Sequence, residues 1–221
     1  VSPPRALDLY CAGGGAGRGL ELAGFEVVGW DIDDMSRYYP GEFHRGDVLE
    51  LEPAYVAEFD LVWSSPPCQA HSIATRKWPG RADEHLDLIP QTRELLDAAG
   101  VPYVIENVPG APLRVDLMLC GLMVGLPLLR RHRVFELVGF QVQQPEHPRH
   151  EPNVRYITVA GHPGGSSARD GVNGFGSTAE WRAAMEIDWL PARLIAQAIP
   201  PAYSRLIGAA AIAELGLGVT S

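Results

Sequence analysis

Cys68 stands in Ser64-Ser65-Pro66-Pro67-Cys68-Gln69, directly after an apolar run at residues 60–63. Two prolines stiffen the turn that follows a buried strand and hold the thiol at the strand's carboxyl end. A thiol so placed is a candidate nucleophile wherever its surroundings favour thiolate. The competing reading is an inert core cysteine, and that is how Cys11 and Cys120 are read. Two other stretches set Cys68 apart. Tyr103-Val104-Ile105-Glu106-Asn107 is a second apolar run that ends on a carboxylate, and Arg131-His132-Arg133-Val134-Phe135 puts alternate arginines on one side of an extended strand.

A fourth stretch, from Asp8 through Tyr10 and Gly13-Gly14-Gly15 to Gly17, runs from a strand into a glycine cluster before a helix. Such a turn lets a ligand approach the backbone closely beside helix N–H groups. A plain tight turn is the alternative. Asp31 ends the next apolar run, with Asp33 close by, where a carboxylate is placed to accept hydrogen bonds from ribose hydroxyls. Asp47 ends the segment after that and could meet an adenine edge. Asp34 is read as a solvated loop acid.

The elements that must position these residues alternate. Apolar runs at 6–11, 26–31, 60–63 and 102–105 predict strands, and helical spacing is found at 18–23 and 82–99. Strands alternating with helices at this spacing indicate an α/β fold, a doubly wound and mostly parallel sheet, whose ligands sit outside the carboxyl ends of the strands. Residues 138–178 change texture: 141–152 is polar and proline-rich, 156–160 fits one strand, and 161–176 is dominated by Gly, Ser and Asn. Helices are expected at 179–186 and 191–198, with a last one from Pro200-Pro201 to about 215. The chain is expected to form one catalytic domain over 1–221, with 138–178 as a loop region.

Composition bounds the partners. The chain has 221 residues, 46% hydrophobic and 20% charged, with a formal net charge of −9. That argues against a generally basic nucleic-acid coat and leaves room for a local basic face. The acid is uneven: residues 1–125 carry nine basic and 19 acidic residues, and residues 126–221 carry nine and eight. One face therefore suits a cationic or hydroxyl-bearing ligand and another can approach phosphates. Three widely spaced cysteines fit neither a disulfide framework nor a zinc ribbon. With no long apolar run and no signal segment, a cytoplasmic protein without membrane contact is expected.

The order and spacing of these motifs resemble the C5-specific DNA cytosine methyltransferases across nearly the whole length. Ala196-Gln197-Ala198-Ile199-Pro200-Pro201 looks like that family's last motif. The resemblance implies S-adenosylmethionine as cofactor, held by Asp8, Tyr10, Gly13, Gly14, Gly15, Asp31, Ile32, Asp47, Val48, Pro66 and Gln197. It implies that Cys68 adds to C6 of a cytosine flipped out of double-stranded DNA while Glu106 holds N3 and the exocyclic amine. The enamine then takes the sulfonium methyl at C5, and loss of the C5 proton and of Cys68 restores the ring. Arg133 and Arg131 would bind the base carbonyl or position the carboxylate. Pro67, Gln69, His71, Ser72, Asn107, Arg76 and Lys77 would face the substrate. The family uses no metal, so His147-Pro148-Arg149-His150 is expected to be a surface turn.

The chain departs from the family pattern at four places. Ser64 and Ser65 replace paired glycines, Ala12-Gly13 reverses the usual order, Leu129 stands for a glutamine, and Ala196-Gln197 stands for Gly-Asn. The family's long target-recognition domain is reduced to the 43 residues 136–178, which cannot build a core of their own. Short or relaxed sequence preference follows, as in compact phage and prophage forms. A tRNA cytosine methyltransferase and a partner-dependent or non-catalytic nucleic-acid-binding module are the alternative readings.

Overall fold

The computed structural model describes residues 2–69, 71, 86–161, 163 and 176–217. Its elements are β1 (Arg5–Leu9), α1 (Gly15–Ala23), β2 (Glu26–Asp31), β3 (Glu42–Arg45), a 3-10 turn (Val48–Glu50), α2 (Pro53–Val56) and β4 (Leu61–Ser64). They continue with α3 (Ile89–Ala99), β5 (Tyr103–Asn107), β6 (Leu117–Leu119), a second 3-10 turn (Gly121–Val124), β7 (Arg133–Val138), α4 (Thr178–Met185), α5 (Ala192–Gln197) and α6 (Pro201–Leu215).

Seven strands form one sheet in the order β3-β2-β1-β4-β5-β7-β6. The first five pair in parallel, whereas β7 runs antiparallel to both β5 and β6. The mostly parallel α/β sheet expected from the sequence is therefore present, with an antiparallel edge. That edge matters for the site. Because β7 is reversed, its first residue, Arg133, lies at the carboxyl end of β5, where Asn107 pairs with Val134.

Apart from the mostly exposed edge strand β3, the strands are largely buried on both faces, and neighbouring residues divide between two cores as the period of two requires. Ala6, Val27, Leu61, Trp63 and Val104 pack with Leu20, Trp181, Ile195 and Tyr203 of the helices α1, α4, α5 and α6. Leu7, Leu9, Val28, Val62 and Ile105 pack with Val56, Phe59 and Leu96 on the side of α2 and α3. Glu106 follows the parity of Val104, so its side chain enters the α1/α6 side.

The last helix returns beside the first. α1 and α6 meet so closely that a Cβ at Gly19 would lie 2.0 Å from the Ser204 hydroxyl. Ser204 Oγ donates to the Ala16 carbonyl at 2.8 Å, which joins the two helices.

Several boundaries differ from the sequence expectation. α1 begins inside the glycine cluster rather than at Arg18, and α3 begins at Ile89 rather than 82. Pro90 fixes the first turn of α3 without needing a backbone N–H, and residues 86–88 before it are not helical. Residues 156–160 contribute one isolated parallel bridge, Leu129 to Ile157, instead of a strand. β3 and β6 were not anticipated; at four and three residues, both are too short to show a period.

Candidate active site

A cavity of about 270 Å3 opens at the carboxyl edge of the sheet. It joins the turn after β1 (Asp8, Tyr10, Ala12), the end of β2 (Asp31, Ile32, Asp33) and the loop after β4 (Ser65 to Gln69). Glu106, Arg131, Arg133 and the segment Ala196 to Ile199 complete it. Motifs scattered over nearly two hundred residues thus converge on one hollow. Two larger open hollows, beside Arg114 and beside Trp189, hold no cysteine.

The reactive end is built on a buried ion pair. Arg133 Nε approaches Glu106 Oε1 at 2.8 Å, with both side chains mostly withdrawn from water. Burial pushes the Glu106 carboxyl above its ordinary range, while Arg133, Arg131 and a hydrogen bond from Ser65 pull it down. Ser65 also accepts from the indole N–H of Trp63 at 2.9 Å, so the serine ties the carboxylate to the core of β4. No sequence signal assigned Ser65 this role; it entered only as a departure from a glycine.

Cys68 lines the same cavity and is a free thiol. Burial raises its pKa; Arg133 opposes that rise, Glu106 adds to it, and Arg131 opposes it. In the free site Cys68 is therefore held as a thiol. The loop that presents it is fixed from below: Asn107 Nδ2 donates to the Pro66 carbonyl at 3.0 Å, and Asn107 Oδ1 accepts from Val108 N–H. Asn107 is buried and outside the cavity lining, and its bonds hold the loop.

The two arginines do different work. Arg133 faces the carboxylate. Arg131 is buried and donates to the carbonyls of Val159, Ala196 and Ala198. Burial and the neighbouring Arg133 lower its pKa to about 9. Its guanidinium thereby ties the end of α5 to the arginine strand.

The other end of the cavity is acidic. Asp31 accepts from the backbone N–H of Ala12 at 2.8 Å and of Asp33 at 3.0 Å, which sets both carboxylate oxygens. Ile32 beside it is 61% exposed, an apolar face open at the rim. Asp8 is fully buried; its pKa is pushed up to about 8 by burial, against hydrogen bonds from Gly17 and Tyr39 and with repulsion from Asp31. One of its oxygens, Oδ1, is buried without a partner among the described residues. Tyr10 and Ala12 both hold positive φ, 55° and 44°, an unusual backbone cost for residues with a Cβ.

Other expected residues fall elsewhere. Gly13, Gly14 and Gly15 do not line the cavity. A Cβ at Gly15 would meet the Ile199 carbonyl at 2.3 Å and one at Gly13 would meet Leu190, so both glycines admit neighbouring elements. Asp47 caps the first 3-10 turn by accepting from Leu49 N–H at 2.9 Å, and neither it nor Val48 lines the cavity. His71 pairs with Asp87 at 3.1 Å, likewise outside the lining. Ser72, Arg76 and Lys77 lie outside the described residues. Cys11, read as packing, is buried and contributes to the wall.

Comparison with known proteins points the same way. The family model for C-5 cytosine-specific DNA methylases matches residues 5–112. No curated protein matches the chain by sequence. Among solved structures, one described as a DNA modification methyltransferase encoded within an E. coli prophage superposes with a TM-score of 0.65. It is 13% identical, and the match covers 96% of this chain and 99% of that one. The Entamoeba histolytica methyltransferase EhMeth superposes with a TM-score of 0.60 at 13% identity, over 96% of this chain and 98% of that one. At that identity these two likenesses bear on the fold.

Proposed function

We propose, from the premise that residues 5–112 belong to the C-5 cytosine-specific DNA methylase family, that this chain methylates C5 of cytosine in DNA with Cys68 as the nucleophile. The observation that supports this most is the placement of Cys68, Glu106 and Arg133 in one cavity that also reaches Asp8 and Asp31.

Methylases of this family normally use S-adenosylmethionine, and the acidic end of the cavity suits it. Asp31, held by two backbone N–H groups, has lone pairs left for ribose hydroxyls. Ile32 offers apolar cover for a flat base. The unpartnered Asp8 Oδ1 and the nearby acids favour a cation with N–H donors. When bound, the cofactor would supply an electrophilic methyl carried on a sulfonium.

The chain's own residues then divide the work. A flipped cytosine entering beside Cys68 presents N3 to Glu106, which relays to it the proton that the Cys68 thiol gives up. Protonation of N3 draws electrons from C6. It also leaves the ring ready for the Cys68 thiolate, which attacks C6 and makes C5 nucleophilic. Arg133 holds the Glu106 carboxylate and balances the charge left on it. Loss of the C5 proton after methylation allows Cys68 to leave and restores the ring. Arg131 and Asn107 keep the walls in place without touching the base.

The test is transfer of labelled methyl from S-adenosylmethionine to duplex DNA, to tRNA and to free nucleotides. Label at C5 of cytosine in DNA is expected. Label on tRNA alone would move the substrate to RNA, and no label on any of them would remove the enzymatic reading.

A further inference from the structure

Beyond the cavity, four ligand-type side chains meet at the other side of the arginine strand. Cys120, His132, His147 and His150 each bring a metal-binding atom into a set in which no two atoms are more than 4.8 Å apart. Sequence spacing conceals this, because the four positions span thirty residues. The fold explains it. β6 and β7 pair antiparallel with Leu119 opposite Arg133, and continuing that register by one residue places Cys120 opposite His132. His147 and His150, three residues apart in the segment that follows β7, complete the set.

Two of the distances between these atoms match the edges of a tetrahedron. The Cys120 Sγ to His150 Nε2 distance is 3.6 Å and the His132 Nε2 to His147 Nε2 distance is 3.1 Å. Ligands at about 2.3 Å for sulfur and about 2.0–2.1 Å for nitrogen around one ion give edges of about 3.5 Å and about 3.3 Å. Hydrogen bonds alone leave the cluster poorly explained. The His150 Nδ1 atom is buried with no partner among the described residues, and the thiol's other contact, to the Leu129 carbonyl, is 3.8 Å long. The three imidazoles nevertheless lie within 5.1–5.4 Å of one another, centroid to centroid.

We propose that Cys120, His132, His147 and His150 bind one Zn2+ in a closed, structural site. A thiolate with three imidazoles suits zinc in softness and number, and with all four positions filled by protein no place remains for a reactive water. Binding displaces the Cys120 thiol proton to solvent and leaves the three imidazoles neutral. The ion anchors the polar segment 141–150, which forms no helix or strand, to the edge of the sheet. It substitutes for the core that so short a segment lacks. It also stiffens the catalytic side, since the His132 carbonyl accepts from Arg133 Nη1 at 2.9 Å and Arg133 holds Glu106. The expectation of a metal-free surface turn at 147–150 gives way to this site.

The full chain, made without a histidine tag, tests it by elemental analysis and by titration with Co2+. One Zn2+ per chain is expected. Co2+ should give the intense visible bands of a four-coordinate ion and a thiolate charge-transfer band in the near ultraviolet. Cys120→Ser should remove the charge-transfer band. The double variant His147→Ala/His150→Ala should weaken Zn2+ binding by more than about a hundredfold, because even outer partners of ligands are worth about 10–100-fold. If the variants fail to fold, the wild-type cobalt spectrum decides. Folded wild-type protein that takes up neither ion, or that binds Co2+ without the thiolate band, overturns the proposal.

Discussion

Glu106 and Cys68 share a charge problem, and its solution sets the pH behaviour. Burial raises the pKa of both, and the proposed reaction needs thiolate and carboxylic acid together, one proton across the pair. That form is maximal between the two values. kcat/KM should therefore rise as pH passes the elevated Glu106 value and fall only beyond the elevated Cys68 value. Glu106→Gln should abolish the alkaline limb, leave activity rising with pH up to the elevated Cys68 value, and lower kcat by about 10²–10⁴-fold; a pH profile of the variant checks both. Asp8 affects stability instead. Its carboxyl moves from an unfolded value of 3.8 to about 8 in the fold, so the unfolded chain ionises first. Stability should then fall as pH rises from about 4 to about 8. Denaturant midpoints at pH 5 and pH 8 measure this, and Asp8→Asn should flatten the difference. The sequence made Cys68, Glu106 and Asp31 legible because each ends a strongly apolar run. The work of Ser65 stayed hidden, as did the bond from Asn107 to Pro66, since these bonds cross between strands far apart in the chain.

Contacts between elements explain which motif residues line the cavity and which admit a neighbouring element. The glycine turn looked like a cradle for a ligand, yet Gly15 is needed because the Ile199 carbonyl fills the place of its Cβ. Gly15→Ala should force the 196–201 segment away from α1 and destabilise the fold by about 1–3 kcal/mol, measurable by chemical denaturation. Arg131 joins three elements at once through the carbonyls of Val159, Ala196 and Ala198. Arg131→Ala leaves those carbonyls without their donor, and at about 1–3 kcal/mol for each buried unsatisfied group it should cost about 3 kcal/mol or more. Loss of activity in that variant should track unfolding and be regained at lower temperature, unlike loss at Arg133. The longer helices and the parallel strands β1, β2, β4 and β5 were legible from periodicity. The antiparallel turn of β7 was not, because direction depends on pairing with β5 and β6, and local sequence carries no record of it.

At the scale of the molecule, the acidic excess and the arginine strand lie on different parts of one edge. The acids of residues 1–125 include the Asp8–Asp31 end of the cavity, and the described cations nearest the nucleophile are Arg131 and Arg133. A nucleic acid held by about two to four phosphate contacts should lose affinity by about 10–100-fold between 50 and 200 mM salt, which a filter or anisotropy titration reads directly. In the proposed enzyme only the 43 residues 136–178 stand where the resemblance implies a long recognition domain, so methylation mapped at base resolution should show a short sequence context. The central claim is covalent attack by Cys68 on cytosine, and duplex DNA containing 5-fluorocytosine tests it most directly. The fluorine at C5 cannot leave as a proton does, so the adduct persists. With S-adenosylmethionine present, the wild-type chain should give a denaturation-resistant protein–DNA complex and Cys68→Ser none. Methylation of ordinary cytosine without any such complex, or an equal complex in the serine variant, would contradict the account.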